Sequence, residues 1–528
     1  MAVDTPSVQY ERMKTEGSWD LCQALLKGTP GMRAGTTTWL PQEPDEKDEK
    51  YAVRLKRSFL HNAYKNTIEQ YVARPFSRPA QWDVENDEAK LALEPIMNDM
   101  DGEGQHHQAF AKELLRMLLR WGVQTTFVDY PEVDDPDSKS KQDETDEELR
   151  PVNRLLKTPA IIGWTLQEQK NGTEKVVEIR VKEVYVEDAD DWTQIVYEQI
   201  RVIRADSWQL WRRKKKNNAT DTEEAYTKED EGTILIAGKT PTDLPIVTAY
   251  TDKTGLLQSL PPFLEMAWTN LELWQSMSDQ KNILRFDRFG ILMGSGFTED
   301  EISAGLTVAP TQAILSENPE AKLSRVETNG KPAENGWKDI RDIFERLEIQ
   351  GMNPMIQRLA NVKATGLSQN ESKSRSQMES WVDEANLAMR KVMQLNLKWM
   401  GFDIPLDQID YSIHQDFVFT TQQSQEVKDV IEARKMGEIS SETFLKEMQR
   451  YGRLSDMIDP IEERARALAE QGNGVGLFNE NVEAQRTTPI PPAASTNVPE
   501  TKPANQTAEE IIAEQKRRGG QQTVGANI

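Results

Sequence analysis

The stretch PPFLEMAWTNLELWQSMSDQKNILRFDRFGILMGSG, residues 261–296, is the main guide to the fold of this chain. It opens with two prolines, which the first turn of a helix tolerates, and Glu265 stands near the positive end of the helix dipole. Apolar side chains then cover a wide face, and cations follow near the negative end. Residues 261–288 would form a helix of roughly 40 Å. The glycines after residue 288 predict that this helix ends and that a segment of another kind begins.

A second helix is predicted by NGWKDIRDIFERLEIQG, residues 335–351, whose apolar residues form one stripe. The segment between the two predicted helices has a strand-like residue pattern and contains glycines. Two helices that bracket a β-rich insertion predict a stalk with a tip. Such a stalk would expose its apolar stripe, so we expect neighbouring subunits to bury it. Periodicity alone is equally compatible with a helical hairpin packed on its own domain. The residues expected in the oligomer stripe are Trp268, Leu271, Trp274, Trp337, Ile340 and Phe344.

The text before the first stalk helix indicates a mixed α+β region from about residue 51 to residue 260. The segment 110–122 predicts a strong helix that stops at Gly122. Alternating apolar and polar residues on both sides of Asn171-Gly172 predict a β-hairpin. A long amphipathic helix is expected over 374–400. From about residue 476 the chain is rich in Pro, Thr, Ala and Asn, a composition that predicts a disordered tail.

Composition sets limits on function. The chain has 528 residues, a formal net charge of −23 and 37% hydrophobic residues. This charge argues against a generally basic surface for nucleic acid. A single cysteine cannot form a disulfide within the chain and fits a reducing compartment. No stretch approaches the ~20 apolar residues of a membrane span, and the first residues lack a signal-peptide pattern.

A phosphate-binding loop is suggested by GTILIAGKT, residues 232–240. That motif requires four residues between its first glycine and Gly-Lys-Thr, whereas this sequence has five, rich in β-branched residues. Pro241 also blocks the helix that should follow. We therefore expect an ordinary strand and turn. With four histidines and one cysteine, the sequence suggests no metal site, no cofactor and no enzyme, although paired carboxylates remain open as acid–base groups.

The order of these segments resembles the portal proteins of tailed double-stranded DNA bacteriophages. The matching text comprises LPPFLEMAWTNLELWQSMSDQKNILRF with FGILMGSGF, the strand-like GLTVAPTQAILSENPEAKLSRVE, the helix WKDIRDIFERLEIQGMNPM, the helix SQMESWVDEANLAMRKVMQLNLKWMG and VIEARKMGEISSETFLKEMQRYG. The upstream phrases FVDYP, AIIGWTLQEQ and IRVIRADSWQLW are similar in order. The resemblance spans roughly residues 50 to 475 and is one of organisation and short phrases.

The resemblance implies an α+β, phage-portal-like subunit in a ring, usually of twelve copies, at one capsid vertex. In that arrangement the chain divides into an N-terminal arm (1–50), an α+β wing (51–260), stem helix 1 (261–288), a clip (289–335), stem helix 2 (336–355), a tunnel loop (356–373), a long wing helix (374–400), a helical crown (401–475) and a disordered tail (476–528). Such a protein belongs to the virion, and to the host cytoplasm during assembly. It conducts DNA during packaging and ejection.

The implied partners are other copies of the chain, the large terminase subunit, tail adaptor proteins, the major capsid or scaffolding protein, and double-stranded DNA. A tunnel lined by few Lys and Arg side chains would bind DNA weakly, so that DNA could pass through it. The candidate tunnel cations are Lys281, Arg285, Arg288, Lys338, Arg341 and Lys363; an intersubunit or solvent-facing role is the alternative for each. The candidate clip contacts are Phe289, Ile291, Met293, Lys322 and Arg325.

Two other functions remain as alternatives. The first is another ring-forming head–tail adaptor, connector or scaffolding protein, against which the long α+β region and the stalk argue. The second is a nucleotide-driven packaging motor, which would need a working phosphate loop.

Overall fold

In the computed structural model, described residues are 2–130, 150–190, 192–215, 224–236, 238–289, 291–296, 318–326, 330–351, 364–415, 423–450, 454 and 461–466. The predicted disordered tail and Lys363 lie outside them. The chain divides into two units, Met1–Gln422 and Gln423–Ile528. The first is mixed α and β, which confirms the predicted fold class.

The first unit begins with helices rather than with an extended arm. Its early helices are α1 (Val8–Glu16), α2 (Trp19–Leu26), α3 (Thr29–Ala34), α4 (Asp48–Arg57) and α5 (Ala63–Ala73). Trp19, Leu21 and Leu25 are buried in the main core. The prediction of an arm over 1–50 is therefore corrected, because these apolar residues pack into the body of the unit.

The chain breaks between α4 and α5 at residues 58–62. Ser58 leaves the helical conformation, and its hydroxyl donates to the Arg54 carbonyl at 2.9 Å. Asn62 then caps α5, accepting from the Lys65 amide at 3.0 Å. Short polar side chains that bond to nearby backbone favour such ends over helix interiors.

Four antiparallel sheets lie in the described part of the chain. The largest has the order β4-β5-β6-β7-β8, and a three-stranded sheet has the order β3-β2-β9. The others are the pairs β1-β12 and β10-β11. The strands are β1 (Gln81–Val84), β2 (Val123–Asp129), β3 (Val152–Leu156), β4 (Ile161–Glu168), β5 (Glu174–Asp190), β6 (Thr193–Arg204), β7 (Ser207–Lys214), β8 (Thr227–Thr233), β9 (Ile246–Tyr250), β10 (Ile291–Ser295), β11 (Lys322–Val326) and β12 (Ile409–Ser412).

Local predictions in this region agree with the structure. Helix α6 (Asp87–Asn98) precedes α7 (His107–Trp121), and Gly122 ends α7 in the left-handed conformation, with φ of 81°. The hairpin between β4 and β5 turns at Asn171-Gly172. Strand β8 leads to a turn in which Ile236 and Lys239 exchange backbone hydrogen bonds of 2.9 and 3.0 Å. Of the strand expected over 232–240, only Gly232 and Thr233 belong to β8, and the expected turn follows at 236–239.

Three long helices follow: α8 (Leu264–Phe289), α9 (Lys331–Gln350) and α10 (Ala364–Trp399). Helix α9 begins inside the predicted clip, because Gly330 and Pro332 form its start. Helix α10 begins at Ala364 instead of 374, so the predicted tunnel loop is helical over 364–373. Residues 356–363 lie outside the described ones.

The predicted crown also starts too early. Residues 409–412 form β12, which pairs with β1 through contacts such as Val84 with Ile409, and Tyr411 is buried in the first unit. Long-range strand pairing of this kind leaves no local sequence signal. The second unit contains α11 (Gln423–Met436), α12 (Ser441–Arg450) and a helical segment at 461–466. In the described ranges, no helix is long and apolar enough to cross a membrane.

Candidate functional site

Helices α8 and α9 lie side by side and run in opposite directions. The Gln280 amide donates to the Ala333 carbonyl at 2.6 Å, and Glu272 pairs with Arg346 at 2.6 Å. Residue numbers thus rise along one helix as they fall along the other. Strands β10 and β11 join the far ends of these helices as an antiparallel pair, with Ile291 opposite Val326. We call α8 and α9 the stem and β10–β11 the tip.

Gly336 of α9 leaves room for a side chain of α8. A Cβ atom added there would lie 2.0 Å from Oε1 of Gln280. Gln280 itself is only 2% exposed. Glycine therefore lets the second helix approach a buried amide side chain without displacing it.

Helix α9 has one covered stripe. Its buried residues are Ala333, Ile340, Ile343 and Leu347, at spacings of seven, three and four positions, which place them on one helix face. Most other positions are exposed and many are charged. This is the amphipathic pattern that the sequence predicts, with the stripe packed on α8.

Helix α8 is buried over a much wider face, because the N-terminal part of the same chain covers it. The side chain of Asn270 makes two bonds to this part: Oδ1 accepts from the Tyr64 backbone amide at 3.0 Å, and Nδ2 donates to the His61 backbone carbonyl at 2.9 Å. The Ser58 and Ser278 hydroxyl oxygens are hydrogen-bonded at 3.0 Å. Residues 58–64, which we call the cover segment, therefore lie against α8 although they are far from it in the sequence.

A buried ion pair supports this cover. Arg54 donates to both carboxylate oxygens of Glu46, with the shortest distance at 2.7 Å, and also to the Pro41 carbonyl at 2.6 Å. The guanidinium lowers the pKa of Glu46 by hydrogen bonding. Asp279 on α8 lies 3.8 Å from the same guanidinium, and burial raises the pKa of that carboxyl group. One arginine thus links the N-terminal region to the stem.

This arrangement corrects part of the oligomer-stripe prediction. Leu271, Trp274 and Ile340 are buried by the subunit itself, so no neighbouring subunit is needed to cover them. Phe344 is partly buried, with its ring 5.0 Å from that of His61. Only Trp268 and Trp337 remain exposed, at 48% and 42%. The sequence did carry a hint, since Asn270 in the middle of an apolar face requires a buried polar partner.

Trp268 belongs to an exposed face of the stem. It stands one turn before Glu272, and Ile349, which is 60% exposed, stands one turn after Arg346. Because α8 and α9 are antiparallel, one turn back along α8 and one turn forward along α9 lead in the same direction. The side chains of Trp268 and Ile349 therefore lie at the same level along the stem, beside the ion pair. We call Trp268, Glu272, Arg346 and Ile349 the outer stem face.

The structure separates the candidate tunnel cations into groups. Lys281 contacts its own subunit: Nζ lies 3.6 Å from the centre of the Phe59 ring and donates to the Arg57 carbonyl at 3.4 Å. Burial, with a contribution from Arg33, lowers the pKa of Lys281.

Other candidate cations are more exposed. Lys338 pairs with Glu334 on α9 at 3.0 Å, and Arg341 donates to the Trp337 carbonyl at 3.4 Å. Arg285 is exposed. Arg288 lies in α8 with its side chain outside the described atoms. A role of these residues at DNA stays a prediction.

The clip candidates all fall at the base of the tip. Ile291 and Met293 lie in β10, opposite Val326 and Ser324, and Phe289 is the last residue of α8. Lys322 and Arg325 lie in β11, and the side chain of Lys322 is exposed. The structure places four of these residues on one two-stranded sheet and Phe289 at the end of the helix that leads into it.

Among the described residues, no group of three or more His, Cys, Asp and Glu side chains could hold a metal ion. The pair His106–His107 starts α7: His106 caps it, and His107 is buried with Nδ1 3.1 Å from the Tyr411 hydroxyl. Burial lowers the pKa of His107 to about 4. These histidines fasten a helix start to β12.

A family model described as Domain of unknown function (DUF4055) matches residues 262–400, the section that contains the stem, the tip and α10. No curated protein matches the sequence. Among solved structures, the chain is similar to one from the neck of a native gene transfer agent particle computed with C12 symmetry, with a TM-score of 0.36 and 11% identity over 72% of this chain and 87% of that chain. It is also similar to one from the virion of a native gene transfer agent particle, with a TM-score of 0.37 and 10% identity over 80% of this chain and 98% of that chain.

Proposed function

We propose that this chain is a portal-like structural subunit of a phage-type particle, which forms a ring around a DNA conduit at one capsid vertex. The observation that carries the proposal is the stem with its tip: α8 leads into β10, and β11 leads back into an antiparallel α9. By the sequence resemblance, the same order of helix, β-rich segment and helix corresponds to the stem and clip of portal proteins. The proposal includes no catalytic activity and no cofactor.

The outer stem face is the proposed contact between neighbouring subunits. Trp268 and Ile349 are large apolar side chains left exposed on the stem, whereas Leu271, Leu273 and Trp274 of α8 are buried within the subunit. Tryptophan is enriched among residues that dominate binding energy at interfaces. The exposed ion pair between Glu272 and Arg346 would fix the relative orientation of neighbouring subunits more than it would stabilise their contact.

Native mass spectrometry and negative-stain imaging of the purified full chain test this proposal. We expect a closed ring, and we expect the double variant Trp268→Lys, Ile349→Lys to dissociate it. Leu91→Lys is a matched control, because Leu91 is 71% exposed on α6, outside the stem. A wild-type protein that is a monomer under all conditions would overturn the ring.

The tip is the proposed docking site for the packaging motor and the tail adaptors. Replacing residues 291–326 by a short glycine-rich linker should leave the ring intact and abolish binding of a terminase large subunit. Retained binding would assign the docking site elsewhere and favour a different ring-forming connector. ATP hydrolysis that disappears in Lys239→Ala would instead support a nucleotide-driven motor.

A further inference from the structure

Several cationic side chains meet where the C-terminal end of α4 approaches α8. Lys56 and Arg57 are exposed in the last turn of α4. Lys281 lies on α8, where its Nζ donates to the Arg57 carbonyl at 3.4 Å, and Arg285 stands one turn further along the same helix. Arg33 of α3 donates to the next backbone carbonyl after that of Arg57, through Nη2 at 2.8 Å. We call these five residues, Arg33, Lys56, Arg57, Lys281 and Arg285, the basic surface.

Ion pairs within the described part of the subunit do not neutralise the basic surface. None of its five members pairs with a carboxylate there. Two carboxylates of the same region, Glu46 and Asp279, face Arg54 instead, at 2.7 and 3.8 Å. Burial lowers the pKa of Lys281, and Arg33 lowers it further, as expected where one cation faces another. Positive charge thus accumulates at one place in a chain whose net charge is −23.

The dipole of α4 accounts for part of this cluster. Carbonyl groups at the C-terminal end of a helix stabilise nearby cations, and Arg33 and Lys281 bond to two such carbonyls. These bonds also hold the two cationic groups in place, so that binding of an anion would cost little further side-chain freedom. The charges of Lys56, Arg57 and Arg285 stay exposed.

Apolar side chains lie among these cations. Phe59 is 47% exposed, and Nζ of Lys281 lies 3.6 Å from the centre of its ring. Val53 is also exposed and stands one turn before Arg57, on the same face of α4. Arginine and aromatic residues are enriched at protein interfaces, whereas contacts to the DNA backbone are made chiefly by charged and polar groups. The mixture therefore favours a polypeptide over duplex DNA.

We propose that the basic surface binds an acidic segment of another protein, which places an apolar side chain against Phe59 and Val53. The five cations select the carboxylates of the segment, and the two apolar residues distinguish it from other polyanions. This inference rests on the contact between α4 and α8 and does not depend on the proposed ring. It stands whether the chain acts as a portal or as another structural protein.

The test uses the full-length protein and a labelled, N-acetylated and C-amidated peptide, Asp-Glu-Leu-Asp-Glu-Phe-Asp-Glu. Binding is followed by fluorescence anisotropy at low salt, where exposed charges are least screened. We expect saturable binding that weakens as salt is added. A peptide with Lys at every acidic position should not bind. A peptide with Ser in place of Leu and Phe should bind about threefold more weakly or worse, because it buries less apolar surface.

The site is located with the photoreactive residue p-benzoylphenylalanine in place of the Phe of the peptide. We expect crosslinks to residues 53–59 or 281–285. Lys56→Glu with Arg57→Glu should weaken binding of the acidic peptide by about tenfold or more, because two attractions become repulsions. Lys157→Glu with Lys170→Glu is the matched control: both lysines are exposed outside the basic surface, and the change in net charge is the same. This control should leave binding unchanged.

The proposal is overturned if the acidic peptide shows no saturable binding, if it crosslinks only elsewhere, or if both double variants weaken binding equally. Tighter binding of a short duplex DNA than of the peptide, lost in Lys56→Glu with Arg57→Glu, would make nucleic acid the occupant and overturn it as well. Native mass spectrometry of that variant without peptide supplies the last outcome. A loss of oligomers that the wild type forms would show that a second copy covers the basic surface, against the proposal.

Discussion

At Gly122 the chain leaves α7 with a positive φ, and it passes close to another segment there. An added Cβ would lie 2.2 Å from the Leu260 carbonyl oxygen, which is backbone and cannot turn aside. Both conditions require glycine: the left-handed conformation disfavours other residues, and the contact leaves no room. The sequence predicted the first condition as a helix stop. The second depends on a segment more distant in the chain.

We therefore expect Gly122→Ala to lower the free energy of unfolding by about 3 kcal/mol, from conformational strain and from displaced backbone. Gly401→Ala is the matched control. Gly401 also has a positive φ, of 88°, but nothing lies within 4 Å of its added Cβ, so the loss should be near 1 kcal/mol. Urea unfolding measures both. Equal losses would show that the Leu260 contact has no energetic consequence.

His107 predicts a pH dependence of stability. Its folded pKa of about 4 is below the ordinary 6.5 because the ring is buried. Between these values the unfolded chain binds more protons than the folded one, so stability must fall as the pH is lowered from about 6.5 to about 4. The contribution is on the order of 2 kcal/mol after allowance for solvent screening.

The variant His107→Gln keeps a polar partner for the Tyr411 hydroxyl and does not titrate. We expect urea unfolding between pH 7 and pH 4.5 to show a weaker loss of stability in this variant than in the wild type. His106→Asn is the control, because His106 is exposed and asparagine also caps helices. If the wild type and His107→Gln lose stability in parallel, other groups account for the dependence.

At the scale of elements, the main feature is that α8 receives its cover from residues 58–64. Asn270 joins the two by bonding to one amide and one carbonyl of that segment. It is fully buried. Removing its side chain would leave two backbone groups without partners in a site that excludes water, which costs more than the hydrogen bonds themselves contribute.

Asn270→Ala should accordingly destabilise the protein by about 2–4 kcal/mol and increase proteolytic cleavage within 58–62. Thr269→Ala is the neighbouring control. The Thr269 hydroxyl donates to the Glu265 carbonyl in the same helix at 3.1 Å, so its loss should cost under about 1 kcal/mol. Thermal unfolding and limited proteolysis check both variants. An unchanged cleavage pattern in Asn270→Ala would mean that the cover segment is held by other contacts.

At the scale of the whole molecule, the core belongs to the first unit. Buried hydrophobic side chains in the described part of the chain extend no further than Ile413. Strand β12 closes this core by pairing with β1, which lies far earlier in the sequence. The stability of the first unit should therefore depend on residues up to about 415 and not on the helices after them.

A chain that ends at residue 422 should fold and melt within about 2 °C of the full-length protein. A chain that ends at residue 400 is the comparison, because it lacks β12 and the buried Tyr411. It should melt at a clearly lower temperature or fail to fold. Circular dichroism and calorimetry measure this. A large loss on truncation at 422 would show that the second unit stabilises the first.

The sequence by itself determined the α+β class, the helix that stops at Gly122, the hairpin at Asn171-Gly172, and the two helices of the stem. Each of these depends on local periodicity or on the conformation of a single residue. For the candidate site, it also predicted that residues near Phe289 and Lys322 meet at one tip. The cationic residues of the stem helices could be identified in the sequence, but the residues that they contact could not.

Only the tertiary structure decided what covers each apolar face. Leu271 and Trp274 looked like surfaces for a neighbouring subunit, yet both are buried within the subunit, and Asn270 and Ser278 of the same helix bond to residues 58–64. Residues 409–412 looked like part of a separate helical region, yet they pair with β1. The physical reason is the same in both places. Periodicity reports which side of an element avoids water, but the partner that excludes the water comes from any part of the chain that packs there.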